Sequence, residues 1–426
     1  MKRSTMTWLC VLSLALSAEL SADLRAGLPA QEKKAPEDRY AIVGGKIVTV
    51  TKGTHDNGVV LVRGKKIEKV IPKVEADYKA PAGYRVIDAK GRWIVPGYIE
   101  LHSHIGGESS DLNDIVYPTN EGYRTLDTIV TENPLLKRAQ AGGVTTVLFI
   151  PGSGTNMGGF GTLIKTAGKS YKDALVRFPG ALKIAQGGNP ERRGGDIGYS
   201  RIGMNFLIRR ALREGQQYTK AWADFSAGKT KVKPAKNPRL EMLKGLFERK
   251  YPVVVHTQGY HLIHSTLRIL HDEMKLWVVI DHGTFDGYRM APEVAERGVM
   301  VMNGPRQLEF NPRTGSYVGL AHEWYRGGVT DVGVNTDAPV VPGEELGFQA
   351  TMAARLGLND ETALAGLTIS PARAVGIDDR CGSIEEGKDA DLVFWTGNPL
   401  DVRNHVTLCI INGKICYDPS KEPRRF

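Results

Sequence analysis

Apolar residues change their spacing twice along this chain. Between residues 40 and 75, in YAIVGGKIVTV and GVVLVRGKKIEKVIP, short Val/Ile runs alternate with Gly, Asn and Lys turns, the texture of antiparallel β-strands. The C-terminal stretch ADLVFWTGNPLDVRNHVTLCIINGKICYD repeats that texture. Between the two ends, short apolar strands alternate with longer helical periodicity, which predicts βα units around a parallel sheet. Eight strands are expected, at 98–102, 145–150, 162–166, 182–185, 252–256, 277–281, 299–302 and 332–335. Most leave room for a helix, so the fold class is α/β and the expected architecture a (β/α)8 TIM barrel. The third strand fits least well. The connection before it, PGSGTNMGGFG (151–161), is too rich in glycine for a helix, although a parallel crossover needs a dozen or so residues. A long insertion, 188–250, follows the fourth strand and carries amphipathic periodicity in MNFLIRRALREGQQYTKAWADF; at that place it overhangs the barrel mouth.

The N-terminus adds a segment of another kind. Lys2 and Arg3 precede the apolar run WLCVLSLALSA (8–18), which passes into QEKKAPEDR (31–39). This is the layout of a secretory signal peptide, too short for a membrane span, so residues 1–22 are expected to be removed and 23–38 to form a linker. The mature protein is then exported, periplasmic or extracellular, with no membrane span. Composition is that of an ordinary globular protein, 41% hydrophobic and 24% charged. The net charge of +9 is spread along the chain, densest from Lys229 to Lys236, and no aromatic residues interleave with it, so a nucleic-acid partner is not expected. Without the leader three cysteines remain, Cys381, Cys409 and Cys416. The turn at Asn412-Gly413 sets Cys409 against Cys416, either as a cross-strand disulfide or as two small buried hydrophobes.

Candidate chemistry collects at strand ends. In VPGYIELHSHIG (95–106), His102 and His104 are two residues apart, and alternate residues of a strand project to one side, so both imidazoles reach one ion. With 10 histidines in 426 residues, about 0.2 such pairs arise by chance, and the pair alone decides nothing. The barrel supplies the context. His256 ends the fifth strand, His282 the sixth and Asp337 the eighth, all at the C-terminal end where active sites of such barrels lie. Four imidazoles and a carboxylate suit one or two divalent ions, Zn²⁺ first, with Mn²⁺, Co²⁺ or Fe²⁺ as alternatives. Such an ion lowers the pKa of a water it holds to about 7, and Asp337 is placed to take the water's proton and pass it to a leaving nitrogen.

In order, the motifs VVLVRGKKIEKV, VPGYIELHSHIG, GGVTTVLFIPG, VVVHTQ, DHGT, VGVNTDAPV, TISPARAVGI and GSIEEGKDADLVFW resemble the amidohydrolase superfamily, in its imidazolonepropionase-like and prolidase-like secreted branch. The resemblance covers nearly the whole mature chain. It implies a barrel (96–375) joined to a small β-sandwich built from both ends, 39–95 and 376–426. It implies that His102, His104 and Asp337 hold the more buried ion and that His256 and His282 hold a second. In single-metal relatives the residue at His282 contacts substrate, which gives His282 a catalytic alternative. Two-metal relatives add a carbamylated lysine from strand four. Lys183 in GALKIAQG is preferred for that part, with Lys165 in GTLIKTAG as the alternative bridging residue. Only a neutral amine reacts with CO₂, so that lysine must be desolvated or flanked by cations.

Substrate contacts are drawn from Arg192, Arg193 and Arg201, which either clamp a substrate carboxylate or form an exposed basic loop, and from Gln258 and Tyr260 after strand five. His261 and His264 either join them or mark one face of a helix, and Glu100 shares the side of strand one that carries His102. The expected function is metal-dependent hydrolysis of a C–N amide bond in a small substrate such as a dipeptide or N-acyl amino acid. The alternatives are a single-metal cyclic-amide hydrolase or deaminase, and an exported binding protein without catalysis. Assembly into a homo-oligomer stays open.

Overall fold

The computed structural model describes residues 38–75, 77–192, 198, 200–312 and 314–426. The expected leader (1–22) and all but the last residue of the expected linker lie outside the described residues. Residues 38–426 form one compact unit. Five strands open it: β1 (Arg39–Val48), β2 (Thr54–Arg63), β3 (Lys66–Ile71), β4 (Arg85–Asp88) and β5 (Trp93–Pro96). The barrel strands follow as β6 (Tyr98–Ser103), β7 (Val144–Phe149), β8 (Met157–Lys165), β9 (Leu175–Ala185), β10 (Val253–Thr257), β11 (Val278–His282) and β12 (Met300–Asn303). A hairpin, β13 (Leu308–Asn311) with β14 (Ser316–Gly319), precedes the last barrel strand, β15 (Val332–Val334), and the chain ends in β16 (Leu392–Trp395), β17 (Val406–Ile411) and β18 (Lys414–Tyr417).

The two strand-rich ends find each other through β16, which runs antiparallel to β5 with Leu392 opposite Pro96 and Trp395 opposite Trp93. They make one hydrogen-bonded path, β18-β17-β16-β5-β1-β2-β3, with β4 added beside β1. The long β1 changes partner along its length, from β4 to β5, across two bulges around Gly45. Ile42, Ile47, Val60 and Val62 from one end of the chain pack against Leu392, Phe394, Leu408 and Ile410 from the other. Asn412 and Gly413 both take positive φ, as a two-residue hairpin turn requires. The cysteine pairing expected from that turn does not form. Ile410 opposes Ile415 and Cys409 opposes Tyr417, so Cys416 is the extra residue of a bulge, and both thiols are free.

The barrel sheet runs β6-β7-β8-β9-β10-β11-β12-β15. It is nearly closed, because the segment after β15 meets β6 again through His104 N to Ala338 O (2.8 Å) and Ile99 N to Leu367 O (2.9 Å). Seven of the eight strands are parallel to one another. The third expected strand is the correction: β8 is longer than 162–166 and runs antiparallel to both β7 and β9. Only residues 150–156 separate β7 from β8, too few for a crossover, so the chain can only turn back as a hairpin. The insertion after β9 carries the helix Arg201–Ser226, capped by Ser200 Oγ accepting from Gly203 N. That helix buries Met204, Leu207, Ile208, Ala211 and Leu212, one face at helical spacing. Among the described residues no helix is long and apolar enough to cross a membrane.

Reversal of β8 moves Lys165 to the end of the barrel away from the strand-end histidines. There its Nζ is ion-paired with Asp391 and lies 3.4 Å from Asp389, 3.2 Å from Cys381 Sγ and 3.3 Å from Thr146 Oγ1. Burial by itself would push this ammonium down, but Asp391, Cys381 and Asp389 override it and hold Lys165 above the ordinary lysine range. Lys165 is a charged tie between barrel and terminal strands, and the alternative bridging assignment fails. Lys165→Met strips Asp391 of its buried cation and is expected to cost about 3–5 kcal/mol of stability in urea unfolding. Zinc affinity should stay unchanged in the folded fraction. A loss under about 1 kcal/mol would show that the network is not what joins the two parts.

Candidate metal centre

The site is assembled from strand ends. On β6, Glu100 and His102 share a side, and the buried Glu100 carboxylate links two segments. Its Oε1 accepts from His102 N (2.9 Å), while its Oε2 accepts from Thr336 N (2.8 Å) and Thr336 Oγ1 (2.7 Å). The strand bearing His102 is thereby tied to the loop bearing Asp337. Burial pushes the Glu100 carboxyl up to about 7 against the pull of those three donors.

Each imidazole is oriented by what its other nitrogen meets. His104 Nδ1 donates to Ile150 O (2.9 Å), which turns its Nε2 to 3.2 Å from Asp337 Oδ1. His282 Nδ1 donates to Gly304 O (2.7 Å), leaving its Nε2 2.8 Å from His256 Nδ1. His102 Nε2 lies 2.9 Å from Lys183 Nζ and 3.3 Å from Asp337 Oδ1. Ser153 Oγ, from the short loop after β7, is 3.0 Å from His256 Nδ1. His282 and Asp337 hold left-handed backbone, with φ of 72° and 52°. For non-glycine residues such strain persists only where the surroundings enforce it, and it gathers at functional sites.

Two triads result, His102/His104/Asp337 and His102/His256/His282, each with ligand atoms within 4.8 Å of one another. Burial drives His102 and His256 well below the ordinary histidine range and His282 down to about 4, so these rings are neutral and present lone pairs at pH 7. Burial also pushes the Lys183 ammonium down to about 8, against Asp281 and Asp337. Burial alone would raise Asp337, yet His104, His282 and Lys183 hold it below the usual carboxylate value and therefore ionised.

The structure thus brings together six of the expected residues: His102, His104, Lys183, His256, His282 and Asp337. Arg201 lies apart, exposed and ion-paired with Glu191 (2.7 Å), and with Gln258 and Tyr260 it lines a cleft of about 270 Å³. Gly188, on the same cleft, adjoins the centre: a Cβ there would lie 3.9 Å from His256 Nε2. His261 and His264 are exposed on the helix Gly259–Thr266, although His261 reaches the cleft rim. The Arg192 side chain and Arg193 lie outside the described residues. Sequence reasoning missed Ser153 and Asp281. Asp281 directly precedes His282, and regular alternation would send the two to opposite faces; the left-handed turn at His282 lets both face His102.

A family model described as the amidohydrolase family matches residues 324–416. Amidohydrolase tasK of Hapsidospora irregularis is 26% identical over 92% of this chain and 45% of its own length. An imidazolonepropionase of Brucella anthropi is 26% identical over 80% of this chain and 88% of its own. The chain spans about half the length of some curated relatives, 45% of tasK and 44% of a Chromobacterium violaceum imidazolonepropionase. The crystal structure of an amidohydrolase from Thermotoga maritima superposes with a TM-score of 0.79 at 30% identity, covering 89% of this chain and 100% of that one. The chain belongs to the amidohydrolase family.

Divalent metal is what that family implies, and the residues of this amidohydrolase fit it. Neutral buried imidazoles, an ionised carboxylate and an amine converge, while His102 Nδ1 and both Asp281 oxygens are buried without a hydrogen-bond partner. Such orphans are costly unless a charge or ion organises them. The lysine supplies a test by pH. At pH 7 about a tenth of a pKa-8 amine is neutral and at pH 9 most of it is, whereas the buried imidazoles are already deprotonated. Zinc uptake by the chelator-stripped amidohydrolase in bicarbonate is therefore expected to rise between pH 6.5 and 9, with its midpoint near 8. Lys183→Met should flatten that rise. Uptake insensitive to pH and bicarbonate would remove Lys183 from the metal centre.

Proposed function

We propose that this protein is an exported metal-dependent hydrolase of C–N amide bonds in small substrates, with dipeptides and N-acyl amino acids as the favoured class. The observation that carries the reading is the meeting of both triads with Lys183, all of them at one end of the barrel. Export is supported by the apolar run at 8–18.

His102, His104 and Asp337 would hold one divalent ion, and His256 and His282 a second, with Lys183 as a carbamate beside His102. A bound ion supplies Lewis acidity toward a carbonyl oxygen and toward water. The remaining steps belong to the chain. Asp337, ionised and within 3.3 Å of both N-terminal imidazoles, accepts the proton of the attacking water as the C–O bond forms. It returns that proton to the nitrogen as the C–N bond breaks, so the products are a carboxylic acid and an amine. Neutral His282, fixed by Gly304 O, offers its Nε2 lone pair to the centre and carries no competing positive charge. The cleft beside His256 receives the rest of the substrate, where Arg201 can exchange Glu191 for a substrate carboxylate and Gln258 and Tyr260 line the wall.

A ring amide is the second reading, favoured by the relative named imidazolonepropionase. Metal content and a substrate panel separate the two. Purified with zinc or manganese and bicarbonate, the protein is expected to hold about two ions per chain and to cleave dipeptides or N-acyl amino acids; one ion with turnover of cyclic amides alone would select the second reading. No ion after reconstitution would overturn both. Asp337→Asn should reduce kcat by about 10²–10⁴-fold while the melting temperature stays near wild type. Arg201→Gln should raise KM for substrates with a free carboxylate and leave their amides unaffected.

A further inference from the structure

Three of the four site histidines turn Nδ1 to a carbonyl or carboxylate oxygen, and one of the three differs in kind; the fourth, His256, turns it to Ser153 Oγ and His282 Nε2. His104 and His282 each donate Nδ1–H to a backbone carbonyl, of Ile150 and Gly304. His102, the imidazole common to both triads, has no carbonyl there. Its Nδ1 instead lies 3.1 Å from Asp281 Oδ2, close in distance although not aligned as a hydrogen bond. Both residues are fully buried, and among the described residues neither His102 Nδ1 nor either Asp281 oxygen has a hydrogen-bond partner.

The opposite edge of the ring decides where its proton sits. His102 Nε2 is 2.9 Å from Lys183 Nζ, a donor, and the acceptor Asp337 Oδ1 stands farther off at 3.3 Å, so the shorter contact turns the Nε2 lone pair to the amine. A neutral ring with its lone pair on Nε2 carries its hydrogen on Nδ1, facing Asp281. The carboxylate is therefore matched to that hydrogen, and each group is the other's available remedy for a costly buried vacancy in hydrogen bonding. A carboxylate in this place does more than a carbonyl: it locks the tautomer, fixes the ring plane and raises the basicity of the coordinating nitrogen.

We infer that Asp281 is the positioning residue of the metal centre, a carboxylate that fixes the tautomer and orientation of His102. The inference rests on the reading of this cluster as a metal site. Asp281 sits opposite His256 in the β10–β11 ladder, so the scaffold that places it is the one that places a second ligand.

The test uses the full mature chain and two readouts. Proton–nitrogen correlation spectra of the metal-free protein are expected to show His102 as the Nδ1–H tautomer in wild type, and as a mixture in Asp281→Ala. Zinc affinity, measured by chelator competition, is expected to fall about 10–100-fold in Asp281→Ala and to be partly restored in Asp281→Asn, which keeps an accepting oxygen. Should Asp281→Ala not fold, the comparison of Asp281→Asn with wild type carries the test, with a smaller loss of the same sign. A wild-type His102 protonated on Nε2, or zinc affinity in the variants within twofold of wild type, would overturn the inference while the metal reading stands. Wild-type protein that binds no zinc would overturn the metal reading, and the tautomer of the metal-free ring would still decide the role of Asp281.

Discussion

Desolvation is the constraint on which the structure turns. Four imidazoles, an amine and several carboxylates are packed within contact of one another at one end of the barrel, and His102, Lys183, Asp281 and His282 have no solvent exposure at all. In such a place charge is tolerated only where an opposite charge answers it. His102, His256 and His282 resolve the conflict by staying neutral, which leaves each with a lone pair. Asp337 keeps its charge, because contact with His104 and the nearby Lys183 ammonium hold it below the usual carboxylate value. The ordinary chemistry of burial, applied to this list of side chains, produces a cluster of lone pairs beside a fixed base.

The same rule gives two buried lysines opposite characters. Lys165 and Lys183 lie on adjacent strands, both shielded from water. Around Lys165, Asp389 and Asp391 stand at the junction with the terminal strands and hold the ammonium charged, where it ties two parts of the molecule together. Around Lys183 the nearest partner is an imidazole nitrogen, and burial loosens its proton. One amine is held charged and the other has its proton loosened. What separates them is the direction of β8, which sends these two lysines to opposite ends of the barrel.

Rigid and variable parts are divided accordingly. The strands supply ligands from a nearly closed sheet, and Glu100 binds the first of them to the loop after the last through His102 N and Thr336. The cleft beside His256 is built differently, from the insertion and the segments following β10 and β11, with an exposed Arg201–Glu191 pair at its edge. Contacts in such loops change at little cost to the barrel, which accords with one family carrying several named activities.

The cluster of side chains was legible because strand ends announce themselves: an apolar run stopping at a histidine or aspartate places that side chain at the barrel mouth, whatever the rest of the fold does. His102, His104, His256, His282 and Asp337 were found in that way; the strand-rich texture of the two chain ends was legible too, while their joining was implied by the family resemblance. Three things were not legible. The direction of β8 depends on whether a connection of seven residues can cross a sheet, so residues 150–156 turned an expected parallel strand into a hairpin and carried Lys165 away from the histidines, leaving Lys183 beside them. The bulge at Cys416 displaced a pairing that regular register would have made. Asp281 was hidden because alternation assigns it to the wrong face, and only the left-handed backbone at His282 brings both neighbours to His102. Periodicity by itself determined which residue types end the strands and hence the kind of chemistry. Strand direction, local backbone reversal and mutual burial, which depend on contacts between distant segments, were decided by the tertiary structure alone.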